Sequence, residues 1–246
     1  FYDYQFTNAD KVDFFIVATE AQKRILEQQF QHYSDKQPKI ATIPVGRLNQ
    51  LTYPKEPRKP YSMITASRLA TEKHIDWLVA AAVQAHAQLP ELTLDIYGKG
   101  SEEDKLRRRI EEAGAQDYIR LKGHADLSQI YAGYELYLTA STSEGFGLTL
   151  MEAVGSGLPL IGFDVRYGNQ TFIDDGKNGY LLPVSSNHVE DQIIAAFVEK
   201  IIALFSQGRQ QEMSQHSYQV AENYLTSRVE AAWTQLLKEV RDDSAL

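Results

Sequence analysis

A chain of 246 residues, 43% hydrophobic and 24% charged, is long enough for one large α/β domain or one and a half smaller ones. Its net charge of −8, with a pI near 5.3, argues against a nucleic-acid binder, which would show a basic patch. The absence of cysteine excludes disulfides and cysteine metal sites, and no apolar run approaches the ~20 residues that cross a bilayer.

In chain order, Phe14-Phe15-Ile16-Val17 reads as a buried strand. Thr19 with Gln22 three residues on has capping-box spacing, and Ile25, Leu26 and Phe30 give the helix that follows its apolar face. Residues 40–46 form a short strand closed by Pro44 and Gly46. Residues 47–60 hold three prolines and several charges and read as a linker or long loop. From Tyr61 onward strands and helices alternate. Strand-like runs occupy 62–66, 92–97, 118–122, 135–138, 158–163 and 180–182. Helical patterns lie near 74–88, 102–113, 126–132, 147–156, 187–206 and 210–240. Ser101 with Asp104, and Asn187 with Glu190, have N-cap spacing. Ile194, Phe197, Val198, Ile201 and Phe205 form a helical stripe that reads as core. This alternation predicts an α/β fold: a doubly wound, mostly parallel, Rossmann-like sheet with helices on both faces.

In such a sheet ligands bind beyond the carboxyl ends of the strands, at the switch point. The glycine-bearing turns Gly98-Lys99-Gly100, Gly123-His124 and Gly145-Phe146-Gly147 all fall there. The first strand of the alternating region runs into Ser67-Arg68-Leu69 without a glycine, so a dinucleotide fingerprint is excluded. The most informative stretch is 143–152, Ser-Glu-Gly-Phe-Gly-Leu-Thr-Leu-Met-Glu. It reads as strand, glycine turn and helix N-terminus, a place that suits phosphate. Glu144 precedes the turn and Glu152 lies in the helix, so the two carboxylates can address opposite ends of one ligand. A nucleotide-sugar has that layout: sugar, diphosphate, ribose. Arg107-Arg108-Arg109 is flanked by acids at 102–104 and 111–112 and reads as a solvated helix face. The histidines have no metal-ligand spacing, and no metal is expected.

Glu144 and Glu152, with seven residues between them and Gly145-Phe146-Gly147-Leu148 inside, resemble the Glu-x7-Glu motif of retaining glycosyltransferases of the GT-B fold, in the large family 4. The resemblance implies a catalytic, sugar-orienting role for Glu144, with Gly145 and Phe146 beside the donor sugar, and ribose contacts for Glu152. It implies diphosphate binding by Arg68, Lys73 and the helix start at Gly147, Leu148 and Thr149, and a nucleobase facing Gly123 and His124. Asp164 to Ile173, with Arg166-Tyr167-Gly168-Asn169-Gln170, resembles a narrower group. That group comprises bacterial transferases of serine-rich-repeat adhesins, served by an accessory secretion system, and related wall-teichoic-acid enzymes.

The resemblance covers essentially the whole chain, as the C-terminal lobe of a GT-B enzyme. Residues 1–45 are expected as the last strand–helix unit of the N-terminal acceptor lobe and 46–60 as linker. Residues 61–208 are expected as the donor domain, and 209–246 as a helical segment packing back towards the first lobe through Leu225, Val229, Trp233, Leu236, Leu237 and Val240. A first residue of Phe1 rather than Met suggests a fragment, inactive alone, lacking the rest of the first lobe. The implied reaction moves a sugar, GlcNAc in the first instance, from a UDP-sugar to Ser/Thr hydroxyls of a serine-rich protein. The alternatives are a teichoic-acid or other glycan acceptor, or a non-catalytic homologous partner subunit. Such a subunit is also an expected partner; nucleic acid is not. The expected location is the cytoplasm, free or peripheral at the inner face of the membrane.

Overall fold

A computed structural model describes residues 11–31, 38–184 and 189–243. They form two compact units. One holds the described residues up to Asn49 together with those from Tyr224 on; the other is Gln50–Asn223.

In the first unit β1 (Phe14–Val17) is followed by α1 (Glu20–Phe30) and pairs in parallel with β2 (Lys39–Thr42). The capping box at Thr19 is complete: its Oγ accepts from the Gln22 N–H, and Gln22 Oε1 accepts from the Thr19 N–H, both at 3.1 Å. Phe15 and Val17 pack on Leu26 and Phe30 of α1, as period-two alternation requires. β1 is less buried than its composition predicts, because alternation sends Ile16 to the other face, where it is 42% exposed.

The second unit runs β3 (Ser62–Ala66), α2 (Ile75–His86), β4 (Thr93–Tyr97), α3 (Glu103–Glu112) and β5 (Ile119–Gly123). It continues with β6 (Leu136–Leu138), α4 (Leu148–Gly155), β7 (Leu160–Phe163), α5 (Gly168–Phe172), β8 (Gly179–Leu182), α6 (Glu190–Gln207) and α7 (Gln210–Glu222). The strands lie in the order β5-β4-β3-β6-β7-β8, and every pairing is parallel. Parallel strands buried on both faces read as continuous apolar runs, and β3, β6 and β7 are buried throughout. From β3 the chain winds outward to β4 and β5, then returns to β6 beside β3 and winds the other way. The switch point therefore lies between the carboxyl ends of β3 and β6. The main core joins the sheet to α2, α3 and α6, and takes in the whole stripe Ile194, Phe197, Val198, Ile201 and Phe205.

Several local readings differ from the structure. Residues 126–132 are not an α-helix: the Asp126 side chain accepts from the Ser128 N–H (3.0 Å), and only a 3-10 turn forms, at Tyr131–Gly133. The cap of α3 is Glu102, without a side-chain cap bond, rather than Ser101. The pattern over 210–240 is two helices, because the chain breaks after α7 and Thr226 N–H donates to Leu48 O (2.8 Å) as α8 (Thr226–Asp243) begins. α8 belongs to the first unit, where it buries Val229 and Leu236, while Trp233 (39%) and Leu237 (63%) stay exposed. Asn187 lies outside the described residues. No helix among the described residues is long and apolar enough to cross a membrane.

Candidate functional site

Two loops meet at the switch point. After β3, Ser67–Ala70 leads into a 3-10 turn at Thr71–Lys73. After β6, residues 139–147 lead into α4, whose cap Gly147 has φ +89°. Glycine suits that backbone, and a Cβ there would sit 2.6 Å from Leu150 Cδ1. One ion pair joins the loops: Lys73 Nζ donates to Glu144 Oε1 at 2.5 Å, with side chains only 14% and 18% exposed. The sequence reading sends these residues to different parts of a ligand. In the chain as it stands they hold each other.

Arg68 is the more available cation. Its side chain is 76% exposed and reaches Glu72 at 2.9 Å, an i,i+4 pair of small energetic weight. The guanidinium can therefore swing to another anion at little cost. Glu144 is fixed through its backbone, its carbonyl accepting from the Tyr167 and Gly168 N–H groups (2.5 and 3.1 Å). Gly168 is required there, since a Cβ would lie 2.4 Å from Phe146 O. Phe146 packs edge-on against Phe172 with ring centroids 5.3 Å apart. Gly145 is exposed, and a methyl group added to its Cα would meet nothing within 4 Å.

α4 brings Leu148, Thr149 and Glu152 to the same end of the sheet. Beneath it the buried Tyr137 hydroxyl lies 3.0 Å from Ala66 O and 2.9 Å from Thr149 Oγ1, tying the end of β3 to the first turn of α4. Burial raises the pKa of Tyr137, so it stays a neutral donor. Tyr131, beside Tyr137 and Glu152, is likewise raised, chiefly by burial. Sequence reasoning missed Tyr137; its place in the strand just before the motif was the available signal. It named Asn169 only as part of the motif of the narrower group; the residue is buried, and its Nδ2 donates to Phe163 O (2.8 Å) and anchors the loop behind Glu144.

The Gly98-Lys99-Gly100 turn packs on the loop after β3. Cβ atoms there would lie 1.8 Å from Ser67 O and 2.2 Å from Leu69 O. Gly123 (φ +69°) accepts from the Gly98 N–H at 2.9 Å, and His124 next to it is exposed. The structure thus joins Lys73 to Glu144 and sets Arg68, Thr149 and Glu152 on the segments that follow β3 and β6, with Gly123 and His124 at the end of β5 two strands away. Arg107 and Arg109 lie on α3 and pair with Glu103, Asp76 and Glu190 at 3.2–3.5 Å. Among the described residues no cluster of three His, Asp or Glu could hold a metal ion.

A fully parallel doubly wound sheet, with cations, carboxylates and a glycine-turned helix start at its switch point, defines a Rossmann-like lobe of the GT-B type. Residues 50–220 match the family described as glycosyl transferases group 1, and the chain belongs to that family. Over all 246 residues it is 98% identical to the UDP-N-acetylglucosamine–peptide N-acetylglucosaminyltransferase GtfA subunit of Streptococcus gordonii, of which it covers 49%. A crystal structure of a GtfA/B complex superposes with a TM-score of 0.94 at 98% identity, over 98% of this chain and 48% of that one. The pneumococcal O-GlcNAc transferase GtfA, solved with UDP and GlcNAc, superposes with a TM-score of 0.90 at 63% identity, over 97% and 47%. The chain spans about half the length of the relatives it matches.

Proposed function

We propose that this chain is the donor-binding part of a retaining glycosyltransferase that moves GlcNAc from UDP-GlcNAc to Ser/Thr hydroxyls of a serine-rich protein. The observation that carries the reading is the Lys73–Glu144 pair at the mouth of α4, in a chain 98% identical to a peptide N-acetylglucosaminyltransferase subunit. The unit Gln50–Asn223 is the donor domain of this proposal, wider at both ends than the 61–208 expected from the sequence because Thr52, Arg58 and Tyr218 of α7 all bond the end of α4; the described residues up to Asn49 and α8 belong with the acceptor lobe. Acceptor binding falls to the part of the protein outside the chain, and a homologous subunit is its partner. Its location is cytoplasmic.

In this reading Glu152 holds the ribose hydroxyls. The unpaired N–H groups of Leu148 and Thr149 receive the diphosphate at the positive end of α4. Arg68 leaves Glu72 and Lys73 leaves Glu144 to neutralise the charge that gathers on the β-phosphate as the sugar departs. Glu144, released from Lys73, orients the sugar hydroxyls. Two cations do here what a divalent metal does elsewhere, so no metal is needed.

Calorimetric titration of UDP and UDP-GlcNAc, with and without a chelator, tests the reading. Binding is expected to survive the chelator and to favour UDP over ADP and GDP. A strict metal requirement, or a preference for another nucleotide, would overturn it.

A further inference from the structure

α4 is an eight-residue helix, about 12 Å long, and too short to be stable by itself. Its position is therefore set by the packing of Leu150, Met151, Ala153 and Val154, each at most 1% exposed, together with what holds its ends. The carbonyls at its C-terminal end have no partner within the helix. Those of Ala153 and Val154 accept from the Leu158 and Gly157 N–H groups just past the helix (3.0 and 2.9 Å), while those of Gly155, its cap Ser156 and Gly157 beyond it are taken by residues from distant parts of the same unit. Thr52 N–H donates to Gly155 O at 2.8 Å. Arg58 Nη2 donates to Ser156 O and Gly157 O at 2.8 and 3.2 Å, and its Nη1 donates to Tyr134 O at 2.6 Å. The Tyr218 hydroxyl reaches Ser156 O at 3.2 Å and Thr52 O at 3.0 Å. Gly157 (φ +67°) is pressed against the Tyr218 ring, where a Cβ would meet carbon at 2.3 Å. A cation among these carbonyls also complements the negative end of the helix dipole.

We infer that Arg58, assisted by Tyr218, is a positioning residue for the nucleotide: it clamps the far end of α4 and so fixes the height at which Thr149 and Glu152 meet the ligand. The inference rests on the reading of α4 as the helix that holds diphosphate and ribose. Arg58 touches no ligand. It acts because a short helix moves as a rigid piece, and a shift of about 1 Å at the site is enough to spoil binding geometry. A flexible loop at the same place could not transmit the constraint. Lysine cannot replace the function, since one ammonium does not present the forked, planar donors that span three carbonyls.

The test compares Arg58→Ala, Arg58→Lys and Tyr218→Phe in the full-length protein. Arg209→Ala is the control, because that guanidinium bonds Gly176 O (3.0 Å) and Glu212, away from α4. Each is measured at a temperature where circular dichroism shows it folded. Arg58→Ala and Arg58→Lys should raise the UDP dissociation constant and the donor KM about ten-fold, and Tyr218→Phe about two- to three-fold. The acceptor KM and the control should not change, and ethylguanidinium should restore part of the affinity of Arg58→Ala. Amide exchange in α4 should quicken in the two Arg58 variants without any ligand. A folded Arg58→Ala that binds UDP as the wild type does would overturn the clamp; if that variant does not fold, wild-type affinity in both Arg58→Lys and Tyr218→Phe has the same force. A wild-type protein that ignores UDP but shows the exchange difference would instead overturn the reading of the site and leave the clamp on α4 standing.

Discussion

Lys73 and Glu144 satisfy each other, and this changes what single substitutions should do. Removing the carboxylate frees Lys73 for phosphate, so Glu144→Gln should leave UDP affinity unchanged or raise it. Its cost should appear in turnover of the full-length enzyme, where the sugar contact matters as charge develops. Glu152→Ala should weaken UDP and UDP-GlcNAc alike by about ten- to a hundred-fold, the worth of a charge-assisted hydrogen bond of about 1.5–3 kcal/mol. Titrating both ligands against both variants gives the answer, and an equal loss of UDP affinity in the two would refute the division of roles. The next residue along, His74, carries a pH effect. It sits in the left-handed region (φ +45°), stacked on Trp77 at 3.8 Å. Desolvation lowers its pKa below the ordinary 6.5, against the opposing pull of Asp76, Glu190 and Glu72. The unfolded chain therefore takes up this proton first, and stability should fall as pH drops through 6.5 towards the folded value. His74→Asn, which tolerates the same backbone, should flatten that decline in urea midpoints taken at about pH 7.5 and about pH 5.5. The sequence offered no sign of either effect. It named Lys73 and Glu144 as charged partners of a ligand, but they stand 71 positions apart and are brought together only by the sheet order.

At the scale of elements, close backbone approach is the controlling constraint. Gly98→Ala would drive a methyl into Ser67 O and lift the turn after β4 off the loop that carries Arg68 and Lys73. A loss of about 2–4 kcal/mol in stability is expected, with weaker UDP binding in what remains folded. Gly145→Ala, which meets nothing within 4 Å, should change stability by less than ~0.5 kcal/mol. Chemical denaturation of the pair checks both, and similar losses would refute the contact argument. The strands β3, β6 and β7 were legible because each is a short apolar run between turn residues, β5 because its apolar and charged residues alternate, and the stripe on α6 because 18 residues give periodicity room to show. What escaped lies where a local bond or a distant partner decides. Asp126 diverts 126–132 from helix into a turn, Leu48 begins α8 by accepting from Thr226, and α5 has only five residues in which to show a pattern.

Taking the molecule whole, the family match over residues 50–220 and the second unit, Gln50–Asn223, nearly coincide, and every residue of the candidate site lies inside both. A protein trimmed to 50–223 should therefore bind UDP within a few-fold of the 246-residue chain, measured by calorimetry. Loss of binding on trimming would mean that the first unit supplies part of the site. Neither form is expected to transfer sugar to a serine-rich acceptor. Radiolabelled transfer by the chain alone at the full-length rate would refute the assignment of acceptor binding to the remainder. The family was readable from Glu144, Glu152 and the glycines between them. The clamp on α4 was not, since Arg58 stands in a proline-rich stretch with no pattern to distinguish it from solvent-facing charge.

The mutual satisfaction of Lys73 and Glu144 also bears on which anions the crevice ignores. A bare buried ammonium would collect whatever small anion is abundant, and free phosphate would block the enzyme for much of its life. A cation already neutralised from within offers such visitors little, because each must evict a carboxylate and leave it stranded. On the proposed function, a UDP-sugar would bring a compensating half, hydroxyls for Glu144 along with oxygens for Lys73. Discrimination against stray anions is thus written into the ion pair itself, and inorganic phosphate should compete with UDP-GlcNAc only at concentrations far above those of UDP.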